Sequence, residues 1–269
     1  MTEKTVVLTG ATSGIGEASA RRFAAGTGRL IVHGPQSARE VGPLLRELSA
    51  EGRAEVHYLR ADFDDLDDVV RLAEGVRGLT DRVDVLVNNA GRPGAEHREV
   101  SRHGYEATLQ TNYLAAVLLV EHLEPLLTSA GGRVVHVASA THQSVTLDLD
   151  DIGLRHGYSP VRAYARSKLA MVGHARWQAE QWGATGPSIV SISPGVISTG
   201  LLHAMFSVRG HAPGHGARHV VDAATAPLPF SGAYLDEGLV TEPNPEVQDP
   251  VFRARLHEVT SELLGPWRP

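Results

Sequence analysis

Cysteine is absent from all 269 residues. That removes disulfides, thiolate metal sites and cysteine nucleophiles together, and it suits a reducing compartment. No basic stripe interrupts the net charge of −6, so nucleic acid is not an expected partner. Long hydrophobic runs are missing too. The longest, residues 114–120, is far too short to cross a bilayer. No charged leader with an apolar core precedes the first strand-like residues. These absences predict a cytoplasmic chain with no membrane partner. Internal repeats, low-complexity tracts and a Pro/Gly/Ser linker are also lacking. Residues 1–269 therefore read as one domain with room for a substantial core.

What is present is an alternation. Short apolar, β-branched runs at residues 6–8, 30–32, 56–59, 83–87, 134–138, 189–192 and 232–235 read as strands. Helical patterns fill 16–25, 41–50, 66–76, 101–127, 161–182 and, at the end, 250–264. The order predicts a single α/β domain: a doubly wound, mostly parallel seven-stranded sheet with helices on both faces. Strands without polar alternation fit a sheet covered on both sides. Residues 200–229 carry glycine, proline and four histidines with weak periodicity. They predict a long loop that covers a substrate.

The first strand runs into Thr9-Gly10-Ala11-Thr12-Ser13-Gly14-Ile15-Gly16 and then a helix. Glycines in such a turn let backbone amides approach a pyrophosphate, and a helix N-terminus offers free N–H groups. Asp62, followed by Phe63 after the third strand, is placed to accept a hydrogen bond from an adenine amine. Asp64 or Asp65 suits the cap of the next helix better. Asn89, Ala90 and Gly91 follow the fourth strand and are expected to line a cofactor and tie adjacent strands together.

Tyr164 and Lys168 are four residues apart and share a helix face. A neighbouring ammonium favours a phenolate, as does a cationic nicotinamide ring, so the Tyr164 phenol is expected to titrate below its usual value. It then gives or takes a proton at a carbonyl or alcohol oxygen. Ser139, just past the fifth strand, is expected to hold the same oxygen. It lacks the elbow pattern of a nucleophilic serine. Asn112 is expected to mark a helix irregularity that holds a water near Lys168. His203, His211, His215 and His219 raise the question of a metal. The last three are spaced by four, but Pro213, Gly214 and Gly216 argue against a helix, and no acidic ligand pattern accompanies them. No metal is expected; these histidines are read as part of the lid. His142 and His156 lie in the insertion near Ser139, where either is placed to meet a substrate.

With these residues in this order, the chain resembles a short-chain dehydrogenase/reductase over essentially its whole length. The residues 139–164 insertion, with Asp148, Asp150, Asp151 and Tyr158, together with Ser231-Gly232-Ala233-Tyr234-Leu235, is similar to the retinol-dehydrogenase-like and WW-domain-oxidoreductase-like branch. The resemblance implies a Rossmann domain and a catalytic tetrad of Asn112, Ser139, Tyr164 and Lys168, with Lys168 also binding the nicotinamide ribose. It implies that Pro194, Gly195 and Ile197 contact the nicotinamide carboxamide, with Thr199 nearby. It implies hydride transfer between the nicotinamide and a carbonyl or alcohol of a small, lipophilic or cyclic substrate. The other reading is a cofactor-binding regulator without turnover. After the second strand the chain has neither the acid of NAD users nor the arginine that stands at Pro35 in NADP users of this branch. Without an acid, Ser37 or Arg39 is left to meet a 2′-phosphate, and NADP(H) is favoured over NAD(H). A homo-oligomer, dimer or tetramer, is implied, with the helices carrying Asn112 and Tyr164 as contact surfaces.

Overall fold

A computed structural model describes residues 3–269. Strand β1 (Thr5–Leu8) leads into helix α1 (Gly14–Gly26), then β2 (Arg29–Gly34), α2 (Ala38–Glu51), β3 (Glu55–Arg60) and α3 (Leu66–Leu79). After β4 (Val85–Asn88) comes a short α4 (Ala107–Leu109), a π-helical turn (Gln110–Leu114) and α5 (Ala115–Ala130). Next are β5 (Arg133–Val137), a 3₁₀ turn (Ala140–Ser144), α6 (Pro160–Trp182) and β6 (Ser188–Ser193). The chain ends with α7 (Gly200–Met205), α8 (Pro213–Thr225), β7 (Ala233–Asp236), β8 (Leu239–Val240), α9 (Pro245–Gln248) and α10 (Pro250–Leu264).

Among the described residues the strands form one sheet in the order β3-β2-β1-β4-β5-β6-β7-β8. All neighbours are parallel except β7 and β8. The order in which successive strands are added reverses between β1 and β4, and a crevice opens at the carboxyl ends of the strands at such a switch point. Two separate cores cover the two faces. One holds Leu66, Leu86, Leu118, Leu119 and Leu256; the other holds Phe23, Leu30, Leu48, Val190 and Val220. The doubly wound reading is therefore correct.

Three expectations are corrected. The sheet has eight strands rather than seven. The eighth arises from a two-residue hairpin turn, Glu237-Gly238, with φ of +46° and +84°, the backbone of a turn that suits strand twist. Residues 200–229 are largely helical rather than a loop. Pro213 occupies the first turn of α8, where its missing N–H costs nothing. Gly216 permits close packing, since a Cβ there would lie 3.0 Å from Ile197 and 3.2 Å from Ile15. Finally, the helical stretch Ala107–Ala130 spans 24 residues and is long and apolar enough to cross a membrane. Most of it is buried: α5 packs with α3 under the sheet, with Leu118, Leu119 and Leu123 in the core.

Candidate active site

Gly10 sits at the end of β1 with φ +63°, and a Cβ there would lie 2.7 Å from the Ala90 backbone. A Cβ on Gly16 would collide with the Gly10 carbonyl. The turn is thus too close to β4 for side chains. Asn89 locks it, its Nδ2 donating to the Thr9 carbonyl at 3.0 Å and the Gly10 carbonyl at 2.9 Å. The Thr9 hydroxyl in turn accepts from the Asn89 and Ala90 N–H groups, each at 3.0 Å. A second brace, not visible in any local sequence pattern, involves His33. The Gly10 N–H donates to His33 Nδ1 at 3.2 Å, and His33 Nε2 donates to the Ala61 carbonyl at 3.0 Å. These two contacts fix the neutral tautomer. Burial pushes His33 down to about 4, and Phe63 stacks on its ring at 4.4 Å.

Ser13 caps α1 but makes no side-chain capping bond. The first turn, with Thr12, Ser13, Gly14, Ile15 and Gly16, lines a cleft of about 950 Å³. The cleft continues past Asp62, Phe63, Asn89, Ala90 and Gly91 to Ser139, Tyr164 and Lys168. Pro194, Gly195, Ile197 and Thr199 form its opposite wall. The Thr199 methyl reaches so near that a Cβ on Gly14 would lie 3.1 Å from it. A bare glycine turn, an uncapped helix start and a long cleft ending at a tyrosine–lysine pair fit an extended dinucleotide. The glycine turn would hold its pyrophosphate, and Gly91 with Lys168 its nicotinamide ribose.

Ser37 and Arg39 lie outside the cleft lining. The Ser37 hydroxyl is engaged in a capping box with Glu40 at the start of α2. The wall at that corner is instead His33, Pro35 and Gln36. Arg60 binds the Pro35 carbonyl at 2.9 Å from the neighbouring strand. Its role is invisible in sequence because only strand pairing brings β3 beside the end of β2. Asp62 lines the cleft and its carboxylate accepts from the Asp64 N–H, while Asp65 caps α3.

Ser159 caps α6, and Pro160 opens its first turn. This sets Tyr164 and Lys168 one turn apart facing the cleft. The Lys168 ammonium lies 5.6 Å from the centre of the Tyr164 ring and donates to the Val137 carbonyl at 2.7 Å. Burial pushes the Tyr164 phenol up to about 12, with the Ser139 hydroxyl beside it pulling the other way. Burial also draws Lys168 down to about 8. The expectation of a depressed phenol is corrected for the protein's own groups. Lys168 is committed to Val137, and loss of water around the phenol outweighs its charge.

The expected helix irregularity exists: Asn112 sits in the π-helical turn. Its side chain is fully buried and stands behind the cleft. Its Oδ1 accepts from the Arg92 N–H at 2.7 Å, and its Nδ2 donates to Ser167 at 3.0 Å. A Cβ on Gly91 would lie 3.2 Å from Asn112 Oδ1 and 3.6 Å from Lys168 Nζ, so Gly91 keeps that corner open. His142 and His156 do not reach the cleft lining. His142 is buried between the Ser139 carbonyl and the Asn244 N–H, and the His156 side chain is 91% exposed.

The geometry suits one chemistry. A bound nicotinamide supplies or accepts a hydride. Tyr164 then moves a proton at the substrate oxygen, Ser139 holds that oxygen by hydrogen bond, and Lys168 keeps positive charge nearby.

The profile of the short chain dehydrogenase family matches residues 4–209. A polyprenol dehydrogenase of Mus musculus is 34% identical over 97% of this chain and 84% of its own length. Retinol dehydrogenase 12 of Homo sapiens is 30% identical over 97% of this chain and 86% of its own. A crystal structure of an uncharacterised protein from Mycobacterium paratuberculosis superposes with a TM-score of 0.82 at 28% identity, covering 98% of this chain and 94% of that one. The chain belongs to the short-chain dehydrogenase/reductase family, near its retinol-dehydrogenase-like branch, and is a nicotinamide-dependent oxidoreductase of a small substrate.

Proposed function

We propose that the protein reduces the carbonyl of a lipophilic or cyclic ketone or aldehyde with NADPH. The observation that carries this reading is the buried Tyr164 beside Ser139 in a cleft that also carries a run of apolar side chains. The Tyr164 phenol carries the proton that carbonyl reduction delivers to the substrate oxygen, and the neighbouring buried Lys168 ammonium keeps a positive charge nearby as that proton leaves. Leu201, Leu202, Met205, Phe206 and Val208 also line the cleft and favour an apolar substrate. The relatives named for polyprenol and retinol support the same substrate class.

Preference for NADP(H) is supported by the corner after β2. No carboxylate lines it, Glu40 is held by Ser37, and the Arg60 guanidinium lies against Pro35. Arg60, although outside the cleft lining, is anchored to the Pro35 carbonyl at that corner, and no carboxylate at the corner competes for a 2′-phosphate. Cytoplasmic location, with no membrane or nucleic-acid partner, belongs to the same proposal and rests on the sequence reading alone. Initial rates with NADPH and NADH across a panel of apolar ketones, aldehydes and quinones test it, with Arg60→Ala alongside. NADPH should be preferred, and Arg60→Ala should raise the KM for NADPH while leaving that for NADH. Equal use of both cofactors by the unaltered enzyme would overturn the cofactor assignment. Cofactor binding without turnover across the whole panel would favour the regulator instead.

A further inference from the structure

The helix at residues 213–225, unexpected from sequence, places His215 and His219 on one face. Their Nε2 atoms lie 3.4 Å apart. The Glu237 carboxylate lies 3.4 Å from the same His215 Nε2, and ligand atoms of all three residues fall within 4.8 Å of one another.

This convergence is poorly served by hydrogen bonding. A ring nitrogen offers either one N–H or one lone pair in its plane. If His215 Nε2 carries the proton and donates to Glu237, it has no lone pair left to accept from His219 Nε2. If His219 donates to His215, the carboxylate faces a lone pair. No assignment gives each of the three atoms a separate bond. A cation between them satisfies all three. Donors on a tetrahedral zinc-like ion at about 2.0–2.2 Å sit about 3.3–3.5 Å from one another, close to the two separations seen.

The surroundings hold the donors in place. Glu237 is the first residue of the β7–β8 turn, with φ +46°, and its N–H donates to the Ser193 carbonyl at 2.9 Å. Gly238 follows, and a Cβ there would stand 3.3 Å from the His219 ring. The His211 ring stacks on His215 at 4.3 Å and 19°. Glu237 also lines the cofactor cleft, where a Cβ on Gly195 would lie 2.9 Å from its carboxyl carbon.

We propose that His215, His219 and Glu237 bind a divalent first-row transition-metal ion, of which Zn²⁺ is the type, clamping α8 to the β7–β8 turn at the rim of the cleft. Two imidazoles and one carboxylate are a donor set that such ions accept, with a fourth position left for water. The ion touches no reacting atom. It fixes the wall that carries Gly195 and Ile197.

The test uses the full-length chain, treated with chelator and then freed of it. Zn²⁺ titration by calorimetry should show one saturable site, and Co²⁺ should give a tetrahedral absorption band that Zn²⁺ abolishes. His219→Ala and Glu237→Gln should each weaken binding at least tenfold. His203→Ala, on α7 and outside the cluster, should bind like the unaltered protein. Glu237 is half exposed in a turn, so Glu237→Gln keeps the test intact should His219→Ala fail to fold. Saturating Zn²⁺ should raise the melting temperature of the unaltered protein and not of Glu237→Gln. Absence of saturable binding at micromolar Zn²⁺, or equal binding by Glu237→Gln, would overturn the proposal. These readouts do not depend on which substrate the enzyme turns over.

Discussion

Lys168 Nζ donates to the Val137 carbonyl at 2.7 Å, anchoring a buried ammonium to the end of β5, two residues before Ser139. This contact separates the roles of the two α6 side chains. Lys168 holds the strand end and keeps charge at the ribose corner, while Tyr164 has its hydroxyl free for proton transfer beside Ser139. Tyr164→Phe should therefore lower turnover by about 10²–10⁴-fold and leave NADPH affinity nearly unchanged. Lys168→Ala should reduce both, because it also strips the Val137 carbonyl of its donor. Steady-state rates and fluorescence titration of NADPH check the split. Normal affinity and activity in Lys168→Ala would refute the dual role.

The glycine turn has no slack. Gly16→Ala puts a methyl against the Gly10 carbonyl, so either α1 moves or the turn opens. NADPH binding should be lost at concentrations that saturate the unaltered protein, with a loss of stability of about 1–3 kcal/mol from overpacking. Gly26→Ala, which meets nothing within 4 Å, is the control and should bind normally. Calorimetric titration and thermal melts of the two variants decide the matter.

His33 makes stability depend on pH. Its ordinary value is 6.5, and burial holds it at about 4 in the fold. Between those values the unfolded chain binds the proton and the native one does not, so stability is full above about pH 6.5 and falls as pH drops toward 4. The shift amounts to about 3 kcal/mol. His136, held at about 3 by burial and then by the Lys168 charge, acts in the same direction. Protonated His33 also loses the lone pair that accepts from Gly10, so cofactor affinity should fall in parallel. Urea unfolding at about pH 7.5 and about pH 4.5 measures the difference, which His33→Gln should shrink. A flat profile over that range would contradict the assignment.

Leu256 joins the C-terminal helix to the catalytic one. It is fully buried, and a Cβ on Gly173 of α6 would lie 3.0 Å from its methyl. Leu256→Ala should cost about 2–5 kcal/mol. It should also raise hydrogen exchange in α6 around Tyr164 and Lys168, which mass spectrometry can localise. Stability within about 0.5 kcal/mol of the unaltered protein would mean that α10 is not holding α6.

Much of the site is legible in sequence where spacing itself encodes geometry. Tyr164 and Lys168 need only a helix to share a face, and Gly10, Gly14 and Gly16 need only a strand before them and a helix after. The seven longer strands are legible because each carries a short apolar stretch bounded by turn residues, even where a polar residue such as His57, His136 or Ser191 interrupts it. Strand β8 is not: its two residues, Leu239 and Val240, are both exposed, and it exists only through the Glu237-Gly238 turn. Helix α8 is hidden because Pro213 and Gly216 look like breakers, when one opens the helix and the other lets Ile15 and Ile197 close on it. Arg60 and His33 are illegible for another reason. Their partners, Pro35, Ala61 and Gly10, are brought to them by strand order, which no local pattern records. The charge argument for Tyr164 left out burial, because spacing reveals a neighbour's charge but not the loss of water around the phenol.

The docking of α10 on α6 bears on the order of the catalytic helix. The Trp177 and His257 rings stack at 3.4 Å, and Arg253 reaches Glu180 at 2.7 Å, so much of the outer side of α6 is packed by the chain's own last helix. The order of the segment carrying Tyr164 and Lys168 therefore draws on contacts made within one chain.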